Sequence, residues 1–249
     1  MNNHVYFAHI LSFFDRSVNF SPLLFVPFHK YTIAKSTLLN LLAGLSETTG
    51  GKIFFQQQML TRGNASALGI GYMLQHDHLF NWRSIWENVT LGLEMTKQKD
   101  EKNLAKVSTL LKKYGLADFQ NKKPSQLSGG MRQRAALIRT MALNPDLLLL
   151  DEPFSALDYQ TRLSVSGDIG KIIRENKKTA ILVTHNLSEA ISLADRVIVF
   201  SKRPTRIKSQ VEISLTIPDA SPLGYRSAPE FNRYFNAIWE DLWDEKGIG

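Results

Sequence analysis

The chain has 249 residues, of which 43% are hydrophobic and 21% are charged. This is an ordinary globular composition, with room for one large domain or for a core and a small subdomain. The absence of cysteine excludes a disulfide scaffold, a thiolate metal site and a cysteine nucleophile, and it is compatible with the cytosol. The formal net charge is +7, but the basic residues are spread along the chain, which favours a solvated basic surface over a nucleic-acid-binding one.

The N-terminal part of the sequence predicts neither a signal peptide nor a membrane span. Met1–His4 carry no basic residue before the apolar stretch, and no small-residue cleavage site follows. Crossing a bilayer takes roughly 18–20 apolar residues, and the longest candidate run, residues 10–28, is interrupted by Asp15, Arg16 and Asn19. We therefore expect any work at a membrane to depend on partner proteins.

Apolar patterning predicts strands that alternate with helices along most of the chain. Residues 91–126 should be mostly helical, with Gly115 as a stop, and a C-terminal helix should pack one apolar face on the core. That face consists of Phe231, Tyr234, Phe235, Ile238 and Leu242, and Trp239 and Trp243 are candidates to extend it. A turn and a strand are predicted within 50–55, and strands at 69–75, 147–150, 179–184 and 197–200. Further helices are predicted at 37–45, 131–143, about 160–175 and from 188.

The stretch from Gln126 to Asp158 is the most informative part of the sequence. Ser128-Gly129-Gly130 precedes a helical run that should start near Met131. Free N–H groups at a helix start, a serine hydroxyl and glycines that allow close approach together suit an anion such as phosphate. This segment therefore predicts a phosphate-binding helix start.

Two carboxylates follow a strand in the same stretch. Leu147–Leu150 is a continuous apolar run, as expected of a parallel strand buried on both faces. Asp151 and Glu152 emerge at its carboxyl end, where open α/β sheets bind ligands. One carboxylate can bind Mg²⁺ and the next can polarise a water for attack on a phosphoryl group. Asp-Glu alone is more often a solvated acidic turn, but the whole constellation favours nucleotide chemistry.

The segments LSGGMRQR (127–134) and LLLLDEPFSALD (147–158) resemble the signature motif, the Walker B motif and the D-loop of ATP-binding cassette (ABC) ATPases. The signature motif is highly specific to that superfamily, and the resemblance runs from about Lys35 to the C-terminus. It implies an α/β fold: a P-loop NTPase core of the ABC ATPase type with a mostly parallel sheet, plus a helical subdomain. The implied boundaries within this single domain are 1–75 and 144–205 for the nucleotide-binding core, 76–143 for the helical subdomain and 206–249 for the tail.

The resemblance also implies roles for individual residues. Glu152 would be the general base, His185 the switch histidine and Gln75 the Q-loop residue. The cofactors would be ATP and Mg²⁺. Nucleotide contacts would come from Lys35, Ser36, Thr37, Gln75, Ser128, Gly129, Gly130 and Asp158, and Mg²⁺ contacts from Ser36, Gln75 and Asp151.

The partners follow from the same resemblance. Residues 76–89 are similar to the transporter-facing stretch of bacterial importer ATPases, in particular the nitrate/sulfonate/taurine-type group. The expected partners are a second ATPase subunit (a homodimer or a paired subunit), integral membrane permease subunits and, indirectly, a solute-binding protein, but no nucleic acid. The expected location is the cytoplasmic face of the cell membrane. His76-Asp77-His78 offers too few ligands for a metal site.

The phosphate loop departs from the family pattern. The form G-x-x-x-x-G-K-[ST] falls on residues 29–36, where Lys35 and Ser36 match but His29 and Ala34 replace the two glycines. Glycine reaches the conformations of this loop cheaply, and a Cβ at Ala34 should crowd it. Either the segment upstream of Lys35 has been replaced, for instance by a frameshift or an altered start, or the loop is divergent. Tyr6 is a candidate for the aromatic residue that stacks on adenine, but core packing is the commoner role.

Three functions therefore stay open at the level of sequence. The first is the ATP-hydrolysing subunit of a bacterial ABC importer for a small solute of the nitrate, sulfonate or taurine kind. The second is an impaired or decayed ABC subunit with a broken phosphate loop. The third is a soluble ABC ATPase that acts on DNA or ribosomes, which is less favoured because the chain has one signature motif and no repeat.

Overall fold

The structure is a computed structural model that describes residues 23–27, 34–201, 205–216 and 222–243. Its strands are β1 (Leu23–Pro27), β2 (Ile53–Phe55), β3 (Gln58–Leu60), β4 (Ile70–Met73), β5 (Leu147–Asp151), β6 (Thr179–Thr184), β7 (Arg196–Phe200) and β8 (Ile207–Glu212). Its α-helices are α1 (Ala34–Leu42), α2 (Ile85–Val89), α3 (Leu91–Met95), α4 (Glu101–Lys113), α5 (Gly129–Met141), α6 (Tyr159–Glu175), α7 (Leu187–Leu193), α8 (Pro222–Arg226) and α9 (Phe231–Trp243).

A six-stranded sheet in the order β4-β5-β6-β1-β7-β8 forms the centre of the described part. All neighbours in it are parallel except β7 and β8, and β2 and β3 form a separate antiparallel pair. Met73 is in register with Leu150, and Asp151 with Val183. Five parallel strands, β4, β5, β6, β1 and β7, therefore have their carboxyl ends at one edge of the sheet.

Each face of the sheet carries its own apolar core. Because the strands are buried on both faces, β5 is apolar at every position before Asp151. One core packs α1 and the β2–β3 pair on the sheet, and the other packs the remaining large helices on the opposite face. The fully buried members of the second core include Ile85, Val107, Leu137, Leu148, Ile172, Ala190 and Ile238.

Several element boundaries differ from the sequence expectation, and caps explain the differences. α5 begins at Gly129, not near Met131, because the Ser128 hydroxyl caps it by accepting from the Met131 N–H. α7 begins at Leu187 because Asn186 caps it in the same way. The expected helical stretch from 91 to 126 is broken into α3, α4 and short 3-10 turns, and Gly115, at a φ of 71°, follows the end of α4.

The C-terminal helix packs on the core through the predicted face. Ile238 is fully buried and Phe231 nearly so, while Tyr234, Phe235 and Leu242 pack against the same core cluster. Trp239 is 46% exposed and stacks on Phe235, so the suggestion that it extends the buried face was wrong. The side chain of Trp243 lies outside the described residues, as do Tyr6 and residues 29–33.

The described helices include none that is long and apolar enough to cross a membrane. The subdomain boundaries implied by the sequence resemblance remain predictions.

The packing of α9 predicts that substitutions at two adjacent residues differ in their effect on the free energy of unfolding. Ile238→Ala should lower the free energy of unfolding by about 2–5 kcal/mol, because it leaves a cavity beneath the helix. Trp239→Ala, the matched control on the exposed side, should cost well under half as much. Thermal unfolding checks this, since about 2–4 °C is expected per kcal/mol for a chain of this size. Equal losses for the two variants would contradict the described orientation of α9.

Candidate active site

The candidate active site lies at the edge of the sheet where the parallel strands end. Asp151 ends β5 and Glu152 follows it, His185 follows β6 directly, and Gln75 comes two residues after β4. Because β4, β5 and β6 are parallel neighbours, their carboxyl ends meet at this edge. The structure thus gathers four of the predicted site residues, contributed by three different strands.

Helix α1, which carries three of the predicted phosphate-binding residues, packs on the same sheet. α1 begins at Ala34, and Lys35 and Ser36 lie in its first turn. Thr37 is exposed on this turn. The side chains of Lys35 and Ser36, like the whole of residues 29–33, lie outside what the structure describes.

Glu152 is held in an unusual backbone conformation. Its φ of 42° lies in the left-handed region, which costs a non-glycine residue about 1–3 kcal/mol. Two hydrogen bonds keep it there: its N–H donates to the Val183 carbonyl at 2.8 Å, and its carbonyl accepts from the Ser155 N–H at 3.1 Å. The surrounding chain therefore fixes where the Glu152 side chain emerges from the sheet.

The Glu152 carboxylate lies beside an exposed imidazole. Its Oε2 is 3.1 Å from Nδ1 of His185, and the exposed fractions of the two side chains are 14% and 48%. A carboxylate that is shielded on one side and faces a hydrogen-bonding ring on the other can take a proton from a water held between protein and substrate. The pair is thus suited to general base chemistry at the sheet edge.

Gln75 is connected to the same turn through one serine. Its Nε2 donates to Ser155 Oγ at 3.4 Å, and that hydroxyl donates to the Glu152 carbonyl at 3.0 Å. Gln75 itself is exposed. A displacement of the segment that carries Gln75 can therefore reach the backbone of Glu152.

Asp151 is buried and linked to the helix that follows the phosphate loop. The Tyr72 hydroxyl lies 3.3 Å from Asp151 Oδ2 and 3.4 Å from Asn40 Oδ1 on α1. Burial, followed by the charge and the hydrogen bond of Asp151, raises the pKa of Tyr72 above its ordinary value. Tyr72 therefore stays protonated and bridges the end of β5 to α1.

The signature glycines pack closely against neighbouring side chains. A Cβ added to Gly130 would lie 2.6 Å from Val165 Cγ2, and one on Gly129 would lie 3.0 Å from Leu157 Cδ2. Both contacts belong to α6 or to the turn before it. The glycines thus allow the start of α5 to pack closely against α6, with Ser128 as its cap.

Asp158, the last residue of the D-loop, caps α6. Its Oδ1 accepts from the Thr161 N–H at 3.1 Å. The hydrogen bonds of Thr161 hold the pKa of this exposed carboxyl below its ordinary value. The structure thus gives Asp158 a capping role within its own chain.

The segment after Gln75 is bound firmly to α5. Arg132 Nε lies 3.0 Å from Asp77 Oδ2, and Arg139 donates to the carbonyls of Asp77 and His78 at 2.7 Å each. Burial lowers the pKa of Arg139. Asp77 is thus part of an ion pair, and no group of three or more metal-ligating side chains comes together in the part of the chain that the structure describes.

Comparison with known proteins identifies the family. A family model described as ABC transporter matches residues 34–155. The uncharacterized ABC transporter ATP-binding protein YtlC of Bacillus subtilis (strain 168) is 45% identical over 208 residues, which are 84% of this chain and 79% of YtlC. The chain belongs to the ABC transporter ATP-binding proteins.

Other relatives of this ABC protein are named for imported solutes. The taurine import ATP-binding protein TauB of Jannaschia sp. (strain CCS1) is 37% identical over 212 residues, 84% of this chain and 78% of TauB. The sulfate/thiosulfate import ATP-binding protein CysA of Photorhabdus laumondii is 41% identical over 169 residues, 66% of this chain but 47% of CysA.

A solved structure supports the fold. The structure of cbiO1 from Clostridium perfringens, described as part of the ABC transporter complex cbiONQ, covers 77% of each chain with a TM-score of 0.66 and 23% identity. The prediction of a P-loop NTPase core of the ABC ATPase type is confirmed. Members of this family bind ATP, use Mg²⁺ and generally hydrolyse ATP.

In this ABC protein, sequence reasoning missed the residues that hold the site together. Tyr72 on β4 is in register with Leu149 on β5. Leu149 lies two residues before Asp151, so the side chains of Tyr72 and Asp151 point to the same face of the sheet, the face that α1 covers. A polar residue inside an otherwise apolar strand was the available signal. Asn40 gave none, because a polar position on a helix is usually solvated.

The aromatic stretch after the Q-loop is supported by a buried asparagine. Asn88, fully buried, donates to the carbonyls of Phe80, Arg83 and Ser84, and its Oδ1 accepts from the Phe80 N–H at 2.7 Å. The loop it holds presents Trp82, which is 73% exposed. The ABC protein thus displays a large aromatic side chain on a fixed loop.

The raised pKa of Tyr72 can be tested by alkaline titration. A folded pKa above the unfolded value of about 10 means that the contribution to stability is present below pH 10 and is lost as the pH rises through the folded value. We expect Tyr72→Phe to leave the tyrosinate absorbance change up to about pH 11 unaltered in the folded protein, and to reduce it only in the unfolded chain. A smaller change in folded Tyr72→Phe below that pH would show that Tyr72 ionises normally.

Proposed function

We propose that this chain is the ATP-binding and ATP-hydrolysing subunit of a bacterial ABC importer. It would energise uptake of a small solute, of the nitrate, sulfonate or taurine kind, through a membrane permease. The observation that carries the proposal is the pairing of Glu152 with His185 beside the buried Asp151, at the carboxyl edge of a parallel sheet. Relatives that are named for taurine and sulfate import support the solute class.

In this proposal each residue at the sheet edge has a distinct role in ATP hydrolysis. Glu152 accepts a proton from the attacking water, and His185 holds the γ-phosphate and orients that water. Lys35 binds the β- and γ-phosphates, and Thr37 extends the contacts along the first turn of α1. Gln75 connects the site to the segment that precedes α2.

The donor set at this edge fits a magnesium ion. Mg²⁺ prefers oxygen ligands and commonly takes one or two carboxylates together with phosphate oxygens. Asp151 supplies a buried carboxylate, and Ser36 and Gln75 would supply a hydroxyl and an amide oxygen. When bound, the ion neutralises charge on the phosphates.

The site would be completed by a second copy of the chain or by a paired ATPase subunit. Ser128, Gly129 and Gly130 of the second copy would contact ATP across the interface, and Asp158 would lie at that interface. Tyr159, next to Asp158, is 61% exposed, which supports a contact surface at this end of α6. A lone chain would then hold half of each site, and hydrolysis would require the dimer.

The permease would dock on the fixed aromatic loop. The exposed ring of Trp82 lies 4.8 Å from that of Phe80, measured between centroids, at a tilt of 41°, and this pair suits a socket for a helix of the partner. Docking there would place the chain at the cytoplasmic face of the membrane, with a solute-binding protein as an indirect partner and no role for nucleic acid.

An impaired or decayed subunit is the alternative function, and the phosphate loop favours it. The two glycines are absent, and the match to the family model starts at Ala34, one residue before Lys35. Against it, α1 begins at Ala34, and helical φ and ψ values suit any L-residue. A soluble ABC ATPase outside transport is less favoured, given the importer-named relatives.

Replacement of the proposed base tests the catalytic role. Glu152→Gln should lower kcat for ATP hydrolysis by about 10²–10⁴-fold, because the amide cannot accept the proton of the water. ATP affinity should be retained, since the change removes no phosphate ligand. Glu212→Gln, on the distant edge strand β8, is the matched control and should hydrolyse ATP at the normal rate. An unchanged kcat in Glu152→Gln would rule out this role for Glu152.

Repair of the phosphate loop separates the active from the impaired subunit. Calorimetry should compare Mg-ATP affinity in the natural chain and in the double variant His29→Gly, Ala34→Gly. The importer proposal expects comparable affinities. Strain of about 1–3 kcal/mol at each disfavoured backbone position would instead weaken the natural chain by several kcal/mol. Binding by the repaired variant alone would favour the impaired subunit.

A further inference from the structure

A buried glutamate on α7 belongs to none of the roles described so far. The side chain of Glu189 is 5% exposed, and its Oε2 accepts a hydrogen bond of 2.9 Å from the Thr184 hydroxyl. The same hydroxyl accepts from the Asn186 N–H at 3.1 Å. Thr184 and Asn186 flank His185, so Glu189 braces the turn that carries the proposed switch histidine.

An arginine on α6 faces this glutamate from the other side. Nε of Arg162 lies 3.8 Å from Glu189 Oε1, which is ion-pair distance but too long for a hydrogen bond. That Nε is buried and has no hydrogen-bond partner among the described residues. The opposite end of the same guanidinium donates to the Leu157 carbonyl in the D-loop at 2.9 Å.

We infer that Arg162 and Glu189 form a positioning bridge that couples the D-loop to the His185 turn. The contacts run from the Leu157 carbonyl through Arg162 and Glu189 to Thr184. His185, the next residue, reaches the Glu152 carboxylate at 3.1 Å. The D-loop and the His185–Glu152 pair are thus joined through side chains as well as along the backbone.

The distance of 3.8 Å between Arg162 Nε and Glu189 Oε1 leaves room for the two groups to move closer and form a hydrogen bond. A shift of the D-loop toward α7 would draw Arg162 with it and turn the ion pair of 3.8 Å into a charge-assisted hydrogen bond. Docking of a second chain against the D-loop would supply such a shift. Arg162 and Glu189 would then align His185 when the dimer forms, a consequence that rests on the proposed function.

The bridge can be tested without nucleotide by hydrogen exchange. Glu189→Gln removes the charge but keeps an amide oxygen for the Thr184 hydroxyl. It should speed exchange of the D-loop amides of Ser155 and Leu157 by about fivefold or more, the factor for roughly 1 kcal/mol of lost local stability. A change confined to α7 and its preceding turn would overturn the bridge.

A matched control lies on the same helix. Arg174 donates to the Leu193 carbonyl at 2.7 Å and to the Tyr225 hydroxyl at 3.3 Å, so it also joins α6 to another element. Arg174→Met should destabilise the protein without selective effect on the D-loop amides. D-loop exchange that rises equally in Arg174→Met and Glu189→Gln would mean that both changes act through general stability, and the bridge would be rejected.

Kinetics supply the second readout. Arg162→Met and Glu189→Gln should each lower kcat by about tenfold with KM for ATP unchanged, as for groups that act only on the way to the transition state. The double variant should be no slower than either single variant, because both changes break one coupling. Arg162→Lys should recover part of kcat, and Arg174→Met should keep the normal value.

Two outcomes would contradict this part of the inference. Either a raised KM at normal kcat or fully additive losses in the double variant would show that the two residues act separately. If the natural chain hydrolyses no ATP, the proposed function fails, and the exchange measurement alone still decides whether the bridge exists.

Discussion

The placement of β5 between β4 and β6 is the constraint on which the site depends. Its leucines are buried on both faces, and a shift by one residue would move Asp151 to the other face of the sheet and break its hydrogen bond with Tyr72. The register of β5 with β6 therefore fixes the positions of Asp151 and Glu152 along the edge of the sheet. His185 is fixed by the same register, since Val183 pairs with Asp151.

Polar contacts between side chains connect the elements around the site. Tyr72 ties the end of β5 to α1, Ser155 ties Gln75 to the Glu152 turn, and Arg162 faces Glu189 between α6 and α7. Each of these contacts joins segments that lie far apart in the sequence. Several include a bond at the long end of the hydrogen-bonding range or beyond it, so small movements can tighten or release them.

The sequence predicted the parts of the molecule that depend on local pattern. Apolar runs located β5 and β6, helical spacing located α4 and α9, and the motif at 127–158 indicated the family. The same patterns could not give contacts that arise only in the fold, such as the Tyr72 bridge or the asparagine that holds the Trp82 loop. Cap positions were also displaced by up to two residues, because Ser128 and Asn186 decide where α5 and α7 begin.

The close packing of Gly130 has a consequence for the history of the chain. Because a Cβ there would lie 2.6 Å from Val165 Cγ2, a side chain at this position would force α5 or α6 to shift, so packing favours glycine whether or not the chain uses ATP. An intact signature motif is then explained by the packing of the fold alone. In a subunit that had lost its activity, changes would therefore accumulate elsewhere, and the departures from the phosphate-loop pattern at His29 and Ala34 are the changes in this sequence that such a loss would explain.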